Sequence, residues 1–87
     1  MDAETRADVL KRLAYIEGHL GGVRKMIEQD AYCVDVLKQT YAVRRAIEKL
    51  ESKMLAGHLH HCVVDGIESG DRGVLDELVE LYALANK

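Results

Sequence analysis

The chain of 87 residues contains no proline, phenylalanine or tryptophan, and only two cysteines. Its abundant Ala, Leu, Val, Glu, Lys and Arg favour helices throughout, and no proline interrupts them. No run of residues approaches the ~18 apolar positions that a membrane span needs, and no secretion signal follows Met1. Two cysteines without such a signal indicate a reducing compartment. We therefore expect an all-α protein that lies in the cytoplasm and has no membrane partner.

The length of the chain and the distribution of its charges limit the number of domains and the kinds of partner to expect. We expect one helical domain over residues 1–87, and a chain this short commonly gains stability by oligomerisation. The net charge is −3, but residues 63–87 hold only Arg72 and Lys87 as basic residues, and the other ten lie earlier. Binding to DNA depends on a local basic face rather than on net charge. A set of solvated helix surfaces is the alternative interpretation of these basic residues.

A heptad pattern of apolar residues predicts the first helix, from about Glu4 to Glu28. Thr5 and Asp8 have the spacing of a capping box at its start. The apolar stripe consists of Val9, Leu13, Ile16, Leu20, Val23 and Ile27. Such a stripe is typical of the seam in a helix bundle.

The second helix is expected to be long, from Ala31 to about Val64, with Asp30 as its N-cap. Its stripe repeats the heptad spacing through Val36, Thr40, Val43, Ile47, Leu50 and Met54. A helix of roughly 45 Å cannot bury such a stripe inside one small subunit, so it needs partners. We expect a turn over residues 65–71 and then a short third helix, from about Asp71 to Ala85.

Three of the four histidines and one cysteine lie in the stretch Gly57–Cys62. Residues four apart share a face of a helix, so His58 and Cys62 can bind one metal ion. His61 follows His58 by three residues and sits near the same face, whereas His60 points elsewhere. An imidazole and a thiolate together suit soft or borderline metals such as Cu(I), Zn, Co or Ni.

Cys33 is the obvious further ligand, but it precedes His58 by 25 residues. On one helix the two residues are roughly 37 Å apart, too far for a single metal ion to bridge. Either the helix folds back, which the lack of Pro and Gly over residues 31–56 disfavours, or Cys33 comes from a second chain in an antiparallel dimer. The alternative is that both cysteines are inert core residues. The position of Cys33 in the first helical turn, where the helix dipole stabilises a thiolate, favours a functional role.

The sequence resembles the CsoR/RcnR family of metal- and stress-sensing repressors. The segment Ala31–Val36, followed by the spacing from His58 to Cys62, carries this resemblance. A second match lies in the first helix, over Arg12–Val23, and the likeness extends from about Lys11 to Leu81.

The resemblance implies three helices per subunit, an antiparallel four-helix-bundle dimer and a disc-shaped homotetramer. It implies a repressor rather than an enzyme, without a small organic substrate, that binds operator DNA until an inducer releases it. In the copper-sensing branch, Cys, His and Cys hold Cu(I) across the dimer interface. The matching residues here are Cys33 of one subunit with His58 and Cys62 of the other. The expected function is therefore Cu(I)-responsive repression of copper efflux or resistance genes.

The resemblance also assigns supporting residues. Tyr32 matches a tyrosine beside the first cysteine, and Glu77 matches a glutamate that hydrogen-bonds the ligand histidine through its second nitrogen. The residues that match or extend a DNA-contacting face are basic and lie in the first two helices: Arg12, Lys49, Arg44, Arg45 and Lys53.

Alternatives to a copper-sensing repressor remain. His60 and His61 are extra donors, and His61 can supply a fourth ligand for tetrahedral Zn or serve a Ni- or Co-responsive member. The nickel- and cobalt-sensing branch, however, has a histidine at the position of Cys62. The persulfide-sensing branch has both cysteines, here Cys33 and Cys62, and lacks the histidine that matches His58. A metal carrier without a regulatory role would leave the basic face merely solvated.

Overall fold

The computed structural model describes residues 1–87, and all of its regular structure is helical. The elements are α1 (Ala3–Glu28), α2 (Cys33–Gly57), a π-helical segment (His58–Val63), α3 (Val64–Glu68) and α4 (Gly73–Ala85). The backbone stays in the right-handed helical region through both ends of the π-helical segment. Cys33–Glu68 is therefore one continuous helix, and the prediction of an all-α chain with three helices is confirmed.

The start of α1 is capped by Asp2, whose carboxylate accepts a hydrogen bond of 3.0 Å from the backbone N–H of Thr5. The predicted capping box of Thr5 and Asp8 is wrong, because the helix begins two residues before Thr5. Thr5 thus supplies one of the unpaired backbone donors of the first turn instead of capping it. The Asp8 carboxylate accepts a bond of 3.2 Å from Arg12 Nε.

The turn between α1 and α2 corrects a second prediction. Asp30 is not the N-cap of α2, because its φ of 55° places it in the left-handed region, where it terminates α1. Ala31 N–H bonds back to Met26 O and Asp30 N–H to Ile27 O, which is the pairing of a Schellman C-cap. The helix α2 then begins at Cys33, two residues later than predicted, with Tyr32 at its N-cap position.

The end of the long helix also differs from prediction. Asp65 and Gly66 are helical, and the turn comes later, with Gly70 at a φ of 82°. Gly66 serves close packing, since an added Cβ would lie 2.6 Å from Val74 Cγ1 in α4. The short last helix therefore starts at Gly73 rather than at Asp71.

The core lies between α1 and α2, which pack antiparallel. Ile16, Val23 and Val43 form its buried centre. Only half of the α1 stripe is buried, because Leu13, Leu20 and Ile27 are 38%, 48% and 60% exposed. Two packed helices bury only the residues at their single interface. The remaining apolar residues of each stripe therefore have no partner in the same chain.

The last helix is the most exposed apolar element. Val79, Tyr82 and Leu84 are each about two-thirds exposed or more. None of the helices combines the length and the apolar character that crossing a membrane requires.

The packing of Gly66 predicts a stability difference between two glycines. We expect Gly66→Ala to destabilise the protein by about 1–3 kcal/mol, because the added methyl group overpacks against the stiff side chain of Val74. Gly22→Ala is the control, because a Cβ at this position meets nothing within 4 Å. This substitution should stabilise the protein by about 1 kcal/mol through the higher helix propensity of alanine. Urea unfolding measures both variants. Equal stabilisation by both substitutions would contradict the packing.

Candidate metal centre

The π-helical segment His58–Val63 contains both donors of the predicted motif. In a π-helix, hydrogen bonds join residues five apart, so a turn holds between four and five residues. His58 and Cys62, four apart, therefore stay close to one face. His61, three after His58, is displaced by more than a quarter of a turn. Single π-helical turns are frequent at functional sites.

The side chain of His61 points to the beginning of α1. Its Nε2 lies 3.6 Å from Asp2 Oδ1, and its side chain is 54% exposed. Asp2 Oδ1 is inaccessible to solvent and has no hydrogen-bond partner, and the His61 imidazole is the only basic group within 4 Å of it. The Thr5 side chain, the Thr5 backbone N–H and then the His61 imidazole lower the pKa of the Asp2 carboxyl.

The first residue of α2 is Cys33, at the opposite end of the continuous helix from His58 and Cys62. No three His, Cys, Asp or Glu side chains of the chain are close enough to hold one metal ion. Both cysteines are exposed and unpaired within the chain, so neither belongs to the core between α1 and α2. One chain thus offers the three predicted ligands as two separate half-sites.

The side chains of Tyr32 and Glu77 form no hydrogen bond or ion pair with the candidate ligands within the chain. Tyr32 precedes Cys33 at the N-cap of α2 and is 68% exposed. Glu77 lies in α4 and is exposed, and no hydrogen bond or ion pair joins it to His58 within the chain. Their predicted supporting roles remain predictions.

The structure brings several of the predicted DNA-contacting residues together. Arg12 of α1 and Lys49 of α2 line one open cavity, together with Lys11. Arg12 also lines a neighbouring cavity with Lys53 and His61. A basic face thus follows the α1–α2 seam at the first cavity, whereas the second cavity, beside the π-helical segment, also holds the carboxylates of Asp2, Glu4 and Asp8. Lys11 was not among the candidates, although its position next to Arg12 was a signal for it.

The two remaining basic candidates lie closer to the start of α2, before Lys49. The Arg44 guanidinium carbon is 5.2 Å from the centre of the Tyr41 ring, a cation–π arrangement. Arg45 is exposed and forms no ion pair within the chain. Both residues are free to contact an outside anion.

Comparison with known proteins identifies relatives along nearly the whole chain. The family model described as metal-sensitive transcriptional repressor matches residues 5–83. The copper-sensing transcriptional repressor CsoR of Bacillus subtilis strain 168 is 38% identical over 81 residues, covering 92% of this chain and 80% of that protein. The copper-sensing transcriptional repressor RicR of Mycobacterium tuberculosis H37Rv is 41% identical over 73 residues, covering 84% of this chain and 76% of that protein.

A solved structure gives the same result. The crystal structure of the copper-sensing repressor CsoR with Cu(I) from Geobacillus thermodenitrificans NG80-2 superimposes with a TM-score of 0.92. The sequence identity is 34%, and the match covers 100% of this chain and 92% of that chain.

The helical hairpin, the separated thiol and imidazole donors and the basic face define a class of helical metal-responsive regulators. The chain belongs to the family of metal-sensitive transcriptional repressors. The resemblance to the CsoR/RcnR family is thereby confirmed, as is the expectation of a repressor rather than an enzyme.

The close approach of α1 to Gly57, just before the π-helical segment, predicts that a larger side chain at this position destabilises the protein. A Cβ on Gly57 would lie 2.6 Å from Thr5 Cγ2 and Oγ1. We expect Gly57→Ala to destabilise the protein by about 1–2 kcal/mol, since overpacking exceeds the gain in helix propensity. Thr5→Ala in the same chain should recover most of this loss. Independent, additive effects of the two substitutions in a double-mutant cycle would show that the contact is absent.

Proposed function

We propose that this protein is a Cu(I)-responsive transcriptional repressor, which binds operator DNA without metal and is released when Cu(I) binds. The observation that carries the proposal is the placement of Cys33, His58 and Cys62 at the two ends of one unbroken helix, in a chain of this family. The relatives named copper-sensing support the choice of metal. We also propose that it acts in the cytoplasm.

The donor set fits a soft monovalent ion. Two thiolates and one imidazole are the ligands that Cu(I) accepts readily in a site of low coordination number. Cys33 of one chain would complete the site with His58 and Cys62 of another, because an antiparallel arrangement brings opposite helix ends together. The exposed apolar residues of α2, among them Leu37, Tyr41 and Met54, supply a surface for this pairing.

The operator-binding surface would be the basic face. Arg12, Lys49 and Lys53 lie together in the structure, and Arg44 and Arg45 would extend the face along α2. We propose that two antiparallel dimers form a disc-shaped tetramer, which repeats this face and lets it span several phosphates. The unburied apolar face of α4 provides contact area for the assembly.

Metal and DNA binding would be coupled through the same long helix. The half-site of His58 and Cys62 lies just beyond the basic residues Lys49 and Lys53, and the second cavity joins Lys53 to His61. If metal binding favours an arrangement of this helix that binds DNA less well, metal lowers the affinity for DNA. By linkage, DNA then lowers the affinity for metal by the same factor. Tyr32 and Glu77 are proposed to orient the ligands in the assembled dimer.

A second candidate function is a thiol-based sensor, which the exposure of both reduced cysteines favours. A persulfide donor would transfer its outer sulfur to the Cys33 thiolate and leave as a thiol. Cys62 of another chain would then attack the Cys33 persulfide, expel hydrogen sulfide and form a disulfide between the chains, which would release DNA. Mass spectrometry of protein treated with a persulfide donor decides this candidate, because absence of crosslinked dimers removes it.

The metal site predicts which substitutions abolish release from DNA. Cu(I) should weaken operator binding of the unaltered protein by at least about fivefold. Cys33→Ala, His58→Ala and Cys62→Ala should bind DNA normally without metal and lose this response, since each removes a ligand. His60→Ala is the matched control and should respond like the unaltered protein. Anaerobic fluorescence anisotropy with labelled operator DNA measures all five proteins, and an undiminished response of Cys33→Ala would contradict the site.

The basic face predicts the salt dependence of binding. Arg12→Ala and Lys49→Ala should each lower the slope of log K against log salt concentration by about one, because each removes one phosphate contact. Lys87→Ala, beyond the end of α4, should leave the slope unchanged. Equal slopes for all three variants would place the DNA on another surface.

A further inference from the structure

The contact between Asp2 and His61 separates one histidine from the candidate metal ligands. Three histidines lie in the π-helical segment, and of these His61 alone has its imidazole near a carboxylate, 3.6 Å from Asp2 Oδ1. A fourth donor this close to His58 and Cys62 would convert a three-ligand site into a four-ligand site. The direction in which His61 points therefore bears on which metal the site accepts.

Asp2 is held in place from two sides. Its Oδ2 accepts the capping bond of 3.0 Å from Thr5, which leaves Oδ1 directed at the π-helical segment. Thr5 in turn seats against Gly57, the residue just before that segment, where no side chain intervenes. The carboxylate thus has a fixed position relative to the His61 imidazole.

The π-helical turn assists this separation. Because more than four residues complete the turn, His61 lies more than a quarter of a turn from His58, while Cys62 remains nearly in line with it. To reach a metal held by His58 and Cys62, the imidazole would have to leave Asp2 and change its rotamer. That change would remove the only basic side chain within 4 Å of Asp2 Oδ1, an oxygen that is inaccessible to solvent.

We propose that Asp2 is a metal-selectivity residue that holds His61 away from the site and keeps the site at three ligands. This inference rests on the proposed copper site. Zn²⁺ and Co²⁺ bind most stably with four ligands in tetrahedral geometry, whereas three soft ligands satisfy Cu(I). Asp2 therefore disfavours the divalent ions without contacting any metal.

The test compares two serine substitutions at the start of α1, one at the N-cap and one in the first turn. Asp2→Ser keeps a good N-cap but is too short to reach His61, and Glu4→Ser is the control in the same cavity. Co²⁺ titration of the reduced protein, followed by visible absorption, reports both affinity and geometry. Asp2→Ser should bind Co²⁺ about tenfold more tightly than Glu4→Ser, with the intense bands of a tetrahedral site.

Two outcomes would overturn the proposal. The first is equal Co²⁺ binding by Asp2→Ser and Glu4→Ser, and the second is a gain that persists when His61→Ala is added to Asp2→Ser. Cu(I) titration of the unaltered protein distinguishes failure of the selectivity role of Asp2 from failure of the proposed copper site. If that protein takes up Cu(I) through Cys33 and Cys62 while Asp2→Ser gains no Co²⁺ affinity, the selectivity role alone is wrong.

Discussion

The rigidity of one helix constrains everything else in this protein. From Cys33 to Glu68 the backbone never leaves the helical region, so Cys33 and His58 are kept roughly 37 Å apart. No side-chain movement can close such a distance. A metal ion that binds both Cys33 and His58, as we propose, would therefore need two chains.

The first helix ties the half-site of His58 and Cys62 to the rest of the molecule. Its N-terminal end contacts Gly57 through Thr5 and His61 through Asp2, and about two turns further on Arg12 joins the basic face. A structural change in the π-helical segment would therefore act directly on α1 through these contacts. This arrangement gives a short physical connection between candidate metal ligands and candidate phosphate contacts.

The sequence predicted much of this fold, since heptad spacing is a strong signal in a chain without proline. The bounds of α1 were predicted within one residue, but the caps were not, because Asp2, Thr5 and Asp8 all suit a first turn and only packing selects among them. Gly66 suggested a turn and instead serves contact with Val74, which lies in the next helix, beyond the turn at Gly70. No spacing rule reveals a π-helical turn, whose backbone angles at both ends are those of an α-helix. The contact of Asp2 with His61 depends on the register of α1 against α2, which local sequence does not encode.

Mixing two inactive variants tests whether the metal site forms between chains. Cys33→Ala and Cys62→Ala each lack one ligand in every site of a homodimer, whereas a heterodimer of the two retains one complete site. Cu(I) titration with X-ray absorption should find two sulfurs and one nitrogen around copper in the refolded mixture and in neither variant alone. A mixture that binds copper no better than its components would contradict a site shared between chains.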